Sequence, residues 1–148
     1  MKRIAIVALS VLVLMLGGCG SSRQPQIDGS WFAVVNNPDQ SPAYPFSATL
    51  AQGSGTTVNV TNFGFATSTS CFSTPTSEAA TFSAMGSNGT GTFGMTISTV
   101  FPALNNVLTL QGMLNGEGSI AGTWTLTGQA GCTGNGNFTM LLPHSDPG

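Results

Sequence analysis

The sequence predicts an all-β domain of about eight antiparallel strands, and two observations lead to this prediction. From Asp28 onward, apolar residues recur at every second position, as they do in strands with one buried face. Gly, Asn and Ser cluster between these segments, where they accept the positive φ angles of tight hairpins. The sequence contains no helical pattern long enough for the crossover that a parallel sheet requires. We therefore expect sequential strands to pair as antiparallel neighbours.

Eight segments carry the strand pattern. In residues 93–97, Phe, Met and Ile alternate with Gly and Thr, which is typical of a strand with one packed and one solvated face. The segment 80–85 is the least distinct, because residues 77–80 would also suit a short helix. Phe82 leads directly toward a turn and favours a strand there. The predicted strands are residues 29–35, 46–51, 57–63, 80–85, 91–99, 107–114, 119–127 and 137–142.

The connections between these segments predict the architecture. Short turns between sequential strands favour an up-and-down barrel or a barrel-like meander, and the alternative is a β-sandwich. Both architectures bury the apolar faces and limit open sheet edges. The predicted turns are residues 53–55, 86–89, 115–118 and 134–136.

Composition excludes nucleic-acid binding and predicts a polar, weakly charged surface. Charged residues are 5% of the chain, against about 25% in typical soluble domains. After residue 18 there is one basic residue, Arg23, against five acidic residues, which gives a side-chain charge of about −4. A nucleic-acid surface needs clustered Lys and Arg to displace counterions. We therefore expect one domain whose surface is made of Thr, Ser, Asn, Gln and Gly.

The beginning of the chain has the layout of an export signal. Two basic residues precede an apolar run over residues 4–16, which is too short to span a bilayer, since spanning needs about 20 apolar residues. The sequence Leu16-Gly17-Gly18-Cys19 follows this run. It resembles the lipobox of bacterial lipoproteins, in which the cysteine receives a diacylglyceryl group and the preceding peptide is removed.

This resemblance implies that Cys19 is the lipidated first residue of the mature chain. Two or three acyl chains anchor a protein stably, because each buried methylene contributes about 0.8 kcal/mol. Gly20 stands where an Asp would favour inner-membrane retention in enterobacterial lipoproteins, so the resemblance implies the outer membrane, with the domain facing the periplasm or the cell surface. The predicted organisation is a signal peptide at residues 1–18, the lipidated cysteine and a flexible tether at 19–27, one β domain at 28–143 and a polar tail at 144–148.

With Cys19 assigned to lipid, Cys71 and Cys132 are the two remaining cysteines. In an oxidising compartment such a pair is expected to form a disulfide. Closing a loop of about 60 residues would contribute about 4 kcal/mol on the chain-entropy account. A reactive thiol is the alternative, but neither cysteine has a Lys, Arg or His nearby in the sequence to activate it.

The residues that could carry catalysis do not form a known motif. His144, the only histidine, lies in the C-terminal tail, where a catalytic base would be poorly held. A carboxylate pair for glycoside hydrolysis is the remaining enzymatic alternative. Neither the acids nor the cysteines show metal-ligand spacing, so we predict a non-enzymatic protein without a metal or a cofactor. The acidic candidates are Asp28, Asp39, Glu78 and Glu117.

The aromatic residues leave a ligand-binding hypothesis open. Small closed barrels can hold a ligand in their mouth, and Trp31, Phe93 and Trp124 are the candidate lining residues. The alternative is that these side chains simply fill the core. Residues 28–31 and 122–124 resemble the Gly-Thr-Trp strand openings of avidin-like and lipocalin-like barrels, and this resemblance implies a small apolar ligand.

The loop at residues 36–45 is the candidate surface for a protein partner. It contains three prolines and Tyr44, which we expect to be exposed. Loops on a rigid β scaffold often carry binding functions. Together with the anchor, this loop predicts a cell-envelope protein that is attached to the membrane through its lipid. Its role would be structural or one of interaction, with an envelope protein or a small apolar ligand as partner.

Overall fold

The computed structural model describes residues 27–86, 89–100 and 105–142. Every strand in these ranges pairs antiparallel with the next one in sequence, and the last pairs with the first, which closes an up-and-down barrel. The predicted all-β barrel is confirmed. No helix in these ranges has the length and hydrophobicity of a membrane span. The strands are β1 (Gly29–Asn36), β2 (Phe46–Gln52), β3 (Thr57–Phe65), β4 (Thr76–Met85), β5 (Thr90–Thr99), β6 (Val107–Leu114), β7 (Ser119–Thr127) and β8 (Gly134–Leu141).

Alternation along each strand places the apolar side chains inside the barrel. On β5, for example, Phe93, Met95 and Ile97 are buried, while the threonines between and beside them face outward. The inward-facing side chains of all eight strands meet in one core. The largest fully buried side chains include Trp31, Trp124, Phe46, Leu50, Leu108, Leu110, Ile120 and Met140.

A β-bulge in β3 changes which residues face the interior. The register between β2 and β3 shifts near Asn62, which has a φ of 51°. Asparagine adopts this left-handed conformation more readily than most residues, and one extra residue there reverses the alternation. Val58 and Val60 pack inward before the bulge, and Phe63 and Phe65 pack inward after it. The bulge therefore lets both pairs contribute to the core.

Glycines allow β6, β7 and β8 to approach one another and the large aromatic side chains. A Cβ atom on Gly122 would collide with the backbone of β6, and one on Gly136 would collide with the carbonyl of Asn36 and with the indole of Trp124. Residues 134–136 are predicted to be a turn, but they form the beginning of β8 and pair with β7. The prediction is wrong there because these glycines make room for Trp124 within a continuous ladder.

Two further strand boundaries differ from the predictions. β4 begins at Thr76 and pairs with β5 along its whole length, so the helical alternative for residues 77–80 is wrong. β3 extends to Phe65, beyond the bulge. The other predicted boundaries agree with the structure within one residue.

The barrel has two different ends, which we name by what closes them. At the stapled end lie the longer loops between strands, together with the disulfide between Cys71 and Cys132. At the N-terminal end lie the first described residue and tight hairpins. The stapled end comprises residues 37–45, 66–75, 105–106 and 128–133, and the N-terminal end comprises residues 27–28, 53–56 and 115–118.

The chain enters the barrel at the N-terminal end through Ile27. This side chain is fully buried, and its carbonyl accepts a hydrogen bond of 2.8 Å from Trp31 Nε1. Next to it, the Asp28 carboxylate accepts a hydrogen bond from the backbone N–H of Gln52. The predicted tether is therefore one residue too long, because Ile27 belongs to the core.

Candidate functional site at the stapled end

A disulfide joins two loops at the stapled end. Cys71 lies in the β3–β4 loop and Cys132 in the β7–β8 loop, with their Cα atoms 5.5 Å apart. Both cysteines are buried. The predicted bridge is confirmed, and it ties together loops whose cysteines are 61 residues apart in sequence.

Asn106 connects the same two loops through hydrogen bonds. Its side chain is fully buried, Nδ2 donates to the carbonyl of Cys71 at 2.7 Å, and Oδ1 accepts from the backbone N–H of Gln129 at 2.9 Å. A buried amide without such partners would be destabilising. The sequence does not predict this role for Asn106, because an Asn before a strand resembles ordinary turn chemistry and its partners come from distant loops.

Tyr44 is part of the closure of the stapled end. Its ring lies edge-on against Trp124, with centroids 5.5 Å apart, and against Phe72 at 5.9 Å. Its hydroxyl donates to Cys71 Sγ at 3.8 Å. Burial raises the pKa of Tyr44. The predicted exposure of this residue is wrong: the side chain is half-buried, because Trp124 and Phe72 leave a space that its ring fills.

The β3–β4 loop returns onto the barrel through Phe72. The register between β3 and β4 contains only two residue pairs, the shortest ladder among the described strands. Phe72 stacks on Phe65 with a centroid distance of 4.9 Å, and Phe65 contacts Phe63 at 5.1 Å and Phe46 at 6.4 Å. Aromatic packing therefore holds this loop where strand pairing is short.

The projecting part of the stapled end is a turn in the candidate partner loop. The backbone N–H of Asn37 donates to the carbonyl of Ser41, and that of Gln40 donates to the carbonyl of Asn37, both at 2.9 Å. The Asp39 carboxylate accepts from Ser41 Oγ at 2.6 Å and from its backbone N–H at 3.0 Å. These hydrogen bonds lower the pKa of Asp39. The tip of the turn, residues 38–42, is exposed and carries one negative charge.

The three aromatic residues proposed as ligand-lining lie inside the barrel and pack in its core. Trp31, Phe93 and Trp124 are each at most 3% exposed. Both indole N–H groups are bonded to the chain itself, that of Trp31 to Ile27 and that of Trp124 to the carbonyl of Asn36 at 2.7 Å. Their apolar surface and their donors are therefore occupied by the protein.

An open groove of about 430 Å³ lies on the outer wall, across β4, β5 and β6. Its floor includes Gly94, whose missing side chain leaves space between neighbouring threonines. The rings of Phe82 and Phe93 beneath it are buried. The groove therefore presents hydroxyl and amide groups to solvent beside apolar surface. Its polar lining residues are Thr56, Thr81, Ser83, Thr92 and Gln111.

The acidic residues are spread over the barrel. Asp28 and Glu117 lie at the N-terminal end and Asp39 at the stapled end, while Glu78 is half-buried on β4 opposite Ile97. Within the ranges that the structure describes, no three potential metal-ligating side chains form a group. The fold does not bring the four acids to one place.

Two of the predicted positions, Cys19 and His144, lie outside the described residues. A comparison of the chain with known protein families, with curated proteins and with solved structures finds no match in any of the three. The stapled end, with its ordered exposed turn, is the candidate functional site among the described residues.

Proposed function

We propose that this chain is a lipid-anchored protein of the bacterial cell envelope with a non-enzymatic structural or interaction role. The observation that supports this proposal most directly is the pairing of the cysteines. The disulfide uses Cys71 and Cys132, so that Cys19, which ends the lipobox-like sequence, is the third cysteine of the chain. Disulfides persist in oxidising compartments outside the cytoplasm, which agrees with the export signal that precedes Cys19.

The position of the first described residue also supports an anchor. Ile27 lies at the N-terminal end of the barrel, and the strands span the distance between this end and the stapled end. A lipid on Cys19 would therefore join the domain at one end and leave the opposite end directed away from the attachment point. The exposed turn around Gln40 is part of that opposite end.

The rigidity of the stapled end favours an interaction role for it. The disulfide, the hydrogen bonds of Asn106 and the packing of Tyr44 all restrain the connections there. A surface that is already ordered loses little conformational entropy when a partner binds. We propose that the turn at residues 37–42 contacts an envelope protein.

The anchor is tested by growing cells with an alkyne analogue of palmitate. We expect the wild-type chain to be labelled and Cys19→Ala to be unlabelled and released from the membrane fraction. The matched control is the double variant Cys71→Ser/Cys132→Ser, which should keep its label because these sulfurs are not acylated. Equal labelling of Cys19→Ala, or a mature chain that begins at another residue by intact mass, would contradict the proposal.

The interaction role is tested with a photo-crosslinking amino acid at Gln40, in the exposed turn. We expect irradiation of intact cells to give one discrete crosslinked product. The same amino acid at Thr123, on the exposed outer wall of β7, is the control and should give none. The absence of a product at position 40, or the same product at both positions, would count against the turn as a partner surface.

A further inference from the structure

Large apolar side chains are exposed on the barrel wall close to its N-terminal end. The exposed fractions are 41% for Phe32, 50% for Met85, 52% for Met113 and 49% for Leu141. Leu141 and Met85 are the last residues of β8 and β4, and Met113 is next to last in β6. All three strands end at the N-terminal end of the barrel. Phe32 is the fourth residue of β1, which begins there.

Three of these residues form a continuous surface with Ala121. Phe32 pairs directly with Leu141 across β1 and β8, and Met113 pairs directly with Ala121 across β6 and β7. Leu141 pairs with Ser119, two residues before Ala121, so Leu141 and Ala121 are diagonal neighbours about 7–8 Å apart. We call Phe32, Leu141, Ala121 and Met113 the apolar stripe. It crosses four adjacent strands.

Farther toward the stapled end, β7 and β8 have a polar outer face. The outward residues of β8 before Leu141 are asparagine and threonine, and those of β7 after Ala121 are all threonine. On these two strands the exposed apolar surface therefore lies near the N-terminal end of the barrel. A contiguous exposed apolar surface with a polar rim is typical of a site that contacts another molecule or a membrane. The polar outward residues are Asn135, Asn137 and Thr139 on β8 and Thr123, Thr125 and Thr127 on β7.

The chain that precedes the described residues begins at the same end. The eight residue steps from Cys19 to Ile27 span at most about 28 Å when fully extended. An acyl group on Cys19 would thus hold this end of the barrel close to the bilayer. The charged residues described at this end, Asp28 and Glu117, are both acidic and exposed. Zwitterionic lipid suits this surface better than anionic lipid, because acidic side chains and anionic headgroups repel each other.

We propose that the N-terminal end of the barrel lies on the lipid bilayer, with the apolar stripe in the headgroup region of zwitterionic lipid. This inference rests on the proposed anchor at Cys19, which supplies proximity, whereas the stripe sets the orientation. The barrel is tilted toward the side formed by β1, β8, β7 and β6. The stapled end then faces away from the membrane.

The orientation is tested with single cysteines labelled by bimane in the full lipidated chain. Leu141→Cys and Asn135→Cys form a matched pair, since both side chains are exposed on the outer face of β8 and lie about 20 Å apart along the strand. The protein is placed in phosphatidylcholine vesicles that contain phosphatidylcholine with a nitroxide near its headgroup. We expect strong quenching at position 141 and little at position 135. Met113→Cys and Thr109→Cys on β6 repeat the comparison on a second strand.

The outcomes separate this inference from the anchor on which it rests. If the chain floats with the vesicles but the labels at 141 and 113 are quenched no more than their controls, the orientation is wrong and the anchor stands. If the label at 141 is shielded but unquenched, and oxidation of the unlabelled Leu141→Cys variant gives disulfide-linked dimers, the stripe binds a second copy, which also overturns the inference. If alkyne palmitate does not label the chain at Cys19, both proposals fail.

Discussion

The two ends of the barrel are closed by different kinds of interaction. At the stapled end, Asn106 and the disulfide connect loops that are distant in sequence. At the N-terminal end, Asn115 performs the corresponding role within one tight turn, where its Oδ1 accepts hydrogen bonds from the backbone N–H groups of Glu117 at 3.2 Å and Ser119 at 2.9 Å. The hydrogen bonds of Asn106 are therefore non-local, whereas those of Asn115 are local.

The two asparagines also differ in burial, and this difference changes how much stability is lost when either is removed. Asn106 is fully buried, whereas Asn115 is exposed. Water can replace a lost hydrogen bond at an exposed turn, but it cannot reach the partners of a buried amide without opening the structure. We therefore expect the same substitution to lower the unfolding free energy strongly at Asn106 and only slightly at Asn115.

The largest effect is expected from removal of the disulfide. The double variant Cys71→Ser/Cys132→Ser should lose about 4 kcal/mol of unfolding free energy, because the bridge restrains a loop of 61 residues in the unfolded chain. Urea denaturation of the purified protein measures this loss. A reducing agent should destabilise the wild type equally and leave the double variant unchanged. A double variant as stable as the wild type would show that the bridge does not carry the stability of this end.

A single substitution made at both ends tests the contrast directly. Asn106→Ala should lower the unfolding free energy by about 3 kcal/mol, because the carbonyl of Cys71 stays buried without a partner and the hydrogen bond to Gln129 is lost. Asn115→Ala should lose less than about 1 kcal/mol, because its partners become hydrated. Urea denaturation of the two variants gives the comparison. Equal losses would mean that burial does not distinguish the two ends.

A smaller, local effect is expected where the chain enters the barrel. Asp28→Ala removes the acceptor for the backbone N–H of Gln52 and should lower the unfolding free energy by about 1 kcal/mol. Amide hydrogen exchange should become faster at Gln52, and Asp39→Ala, which changes an acid at the other end, should leave that amide unaffected. Unchanged exchange at Gln52 in Asp28→Ala would contradict this description of the entry point.

The smallest effect concerns the charge of the exposed turn. Hydrogen bonds from Ser41 favour the ionised form of Asp39 and lower its pKa in the folded state. Their contribution is therefore present above the ordinary carboxyl pKa and is lost as the pH falls through the lowered value. Ser41→Ala should raise the pKa of Asp39 toward 3.8, as measured by an NMR titration. Ser47→Ala, on the outer face of β2, is the control, and an unchanged pKa in Ser41→Ala would show that the turn lacks these bonds in solution.

Much of the barrel could be predicted from local sequence patterns. The bounds of β6 and β7 agree with prediction, since alternation there is unbroken and the turn at residues 115–118 is rich in Gly and Asn. The bulge in β3 also left a signal, because the apolar positions change from even at Val58 and Val60 to odd at Phe63 and Phe65. That change of parity is the sequence signal that β3 continues to Phe65.

The candidate site could be predicted only in part. Its cysteines follow from the composition of the chain, but Tyr44 and Asn106 do not. Tyr44 lies in a proline-rich loop and Asn106 directly before a strand, whereas their burial depends on Phe72, Trp124 and Gln129. Such partners are brought together only when the barrel closes.

The sequence by itself determined the number of strands, their antiparallel order and the cysteines that pair. These properties follow from side-chain periodicity, from turn chemistry and from the small number of thiols. The tertiary structure decided that β8 meets β1, that Asn106 and Tyr44 close one end, and that Phe32 and Leu141 lie side by side on the outer wall. Each of these depends on contacts between residues far apart in the chain, which no local pattern encodes.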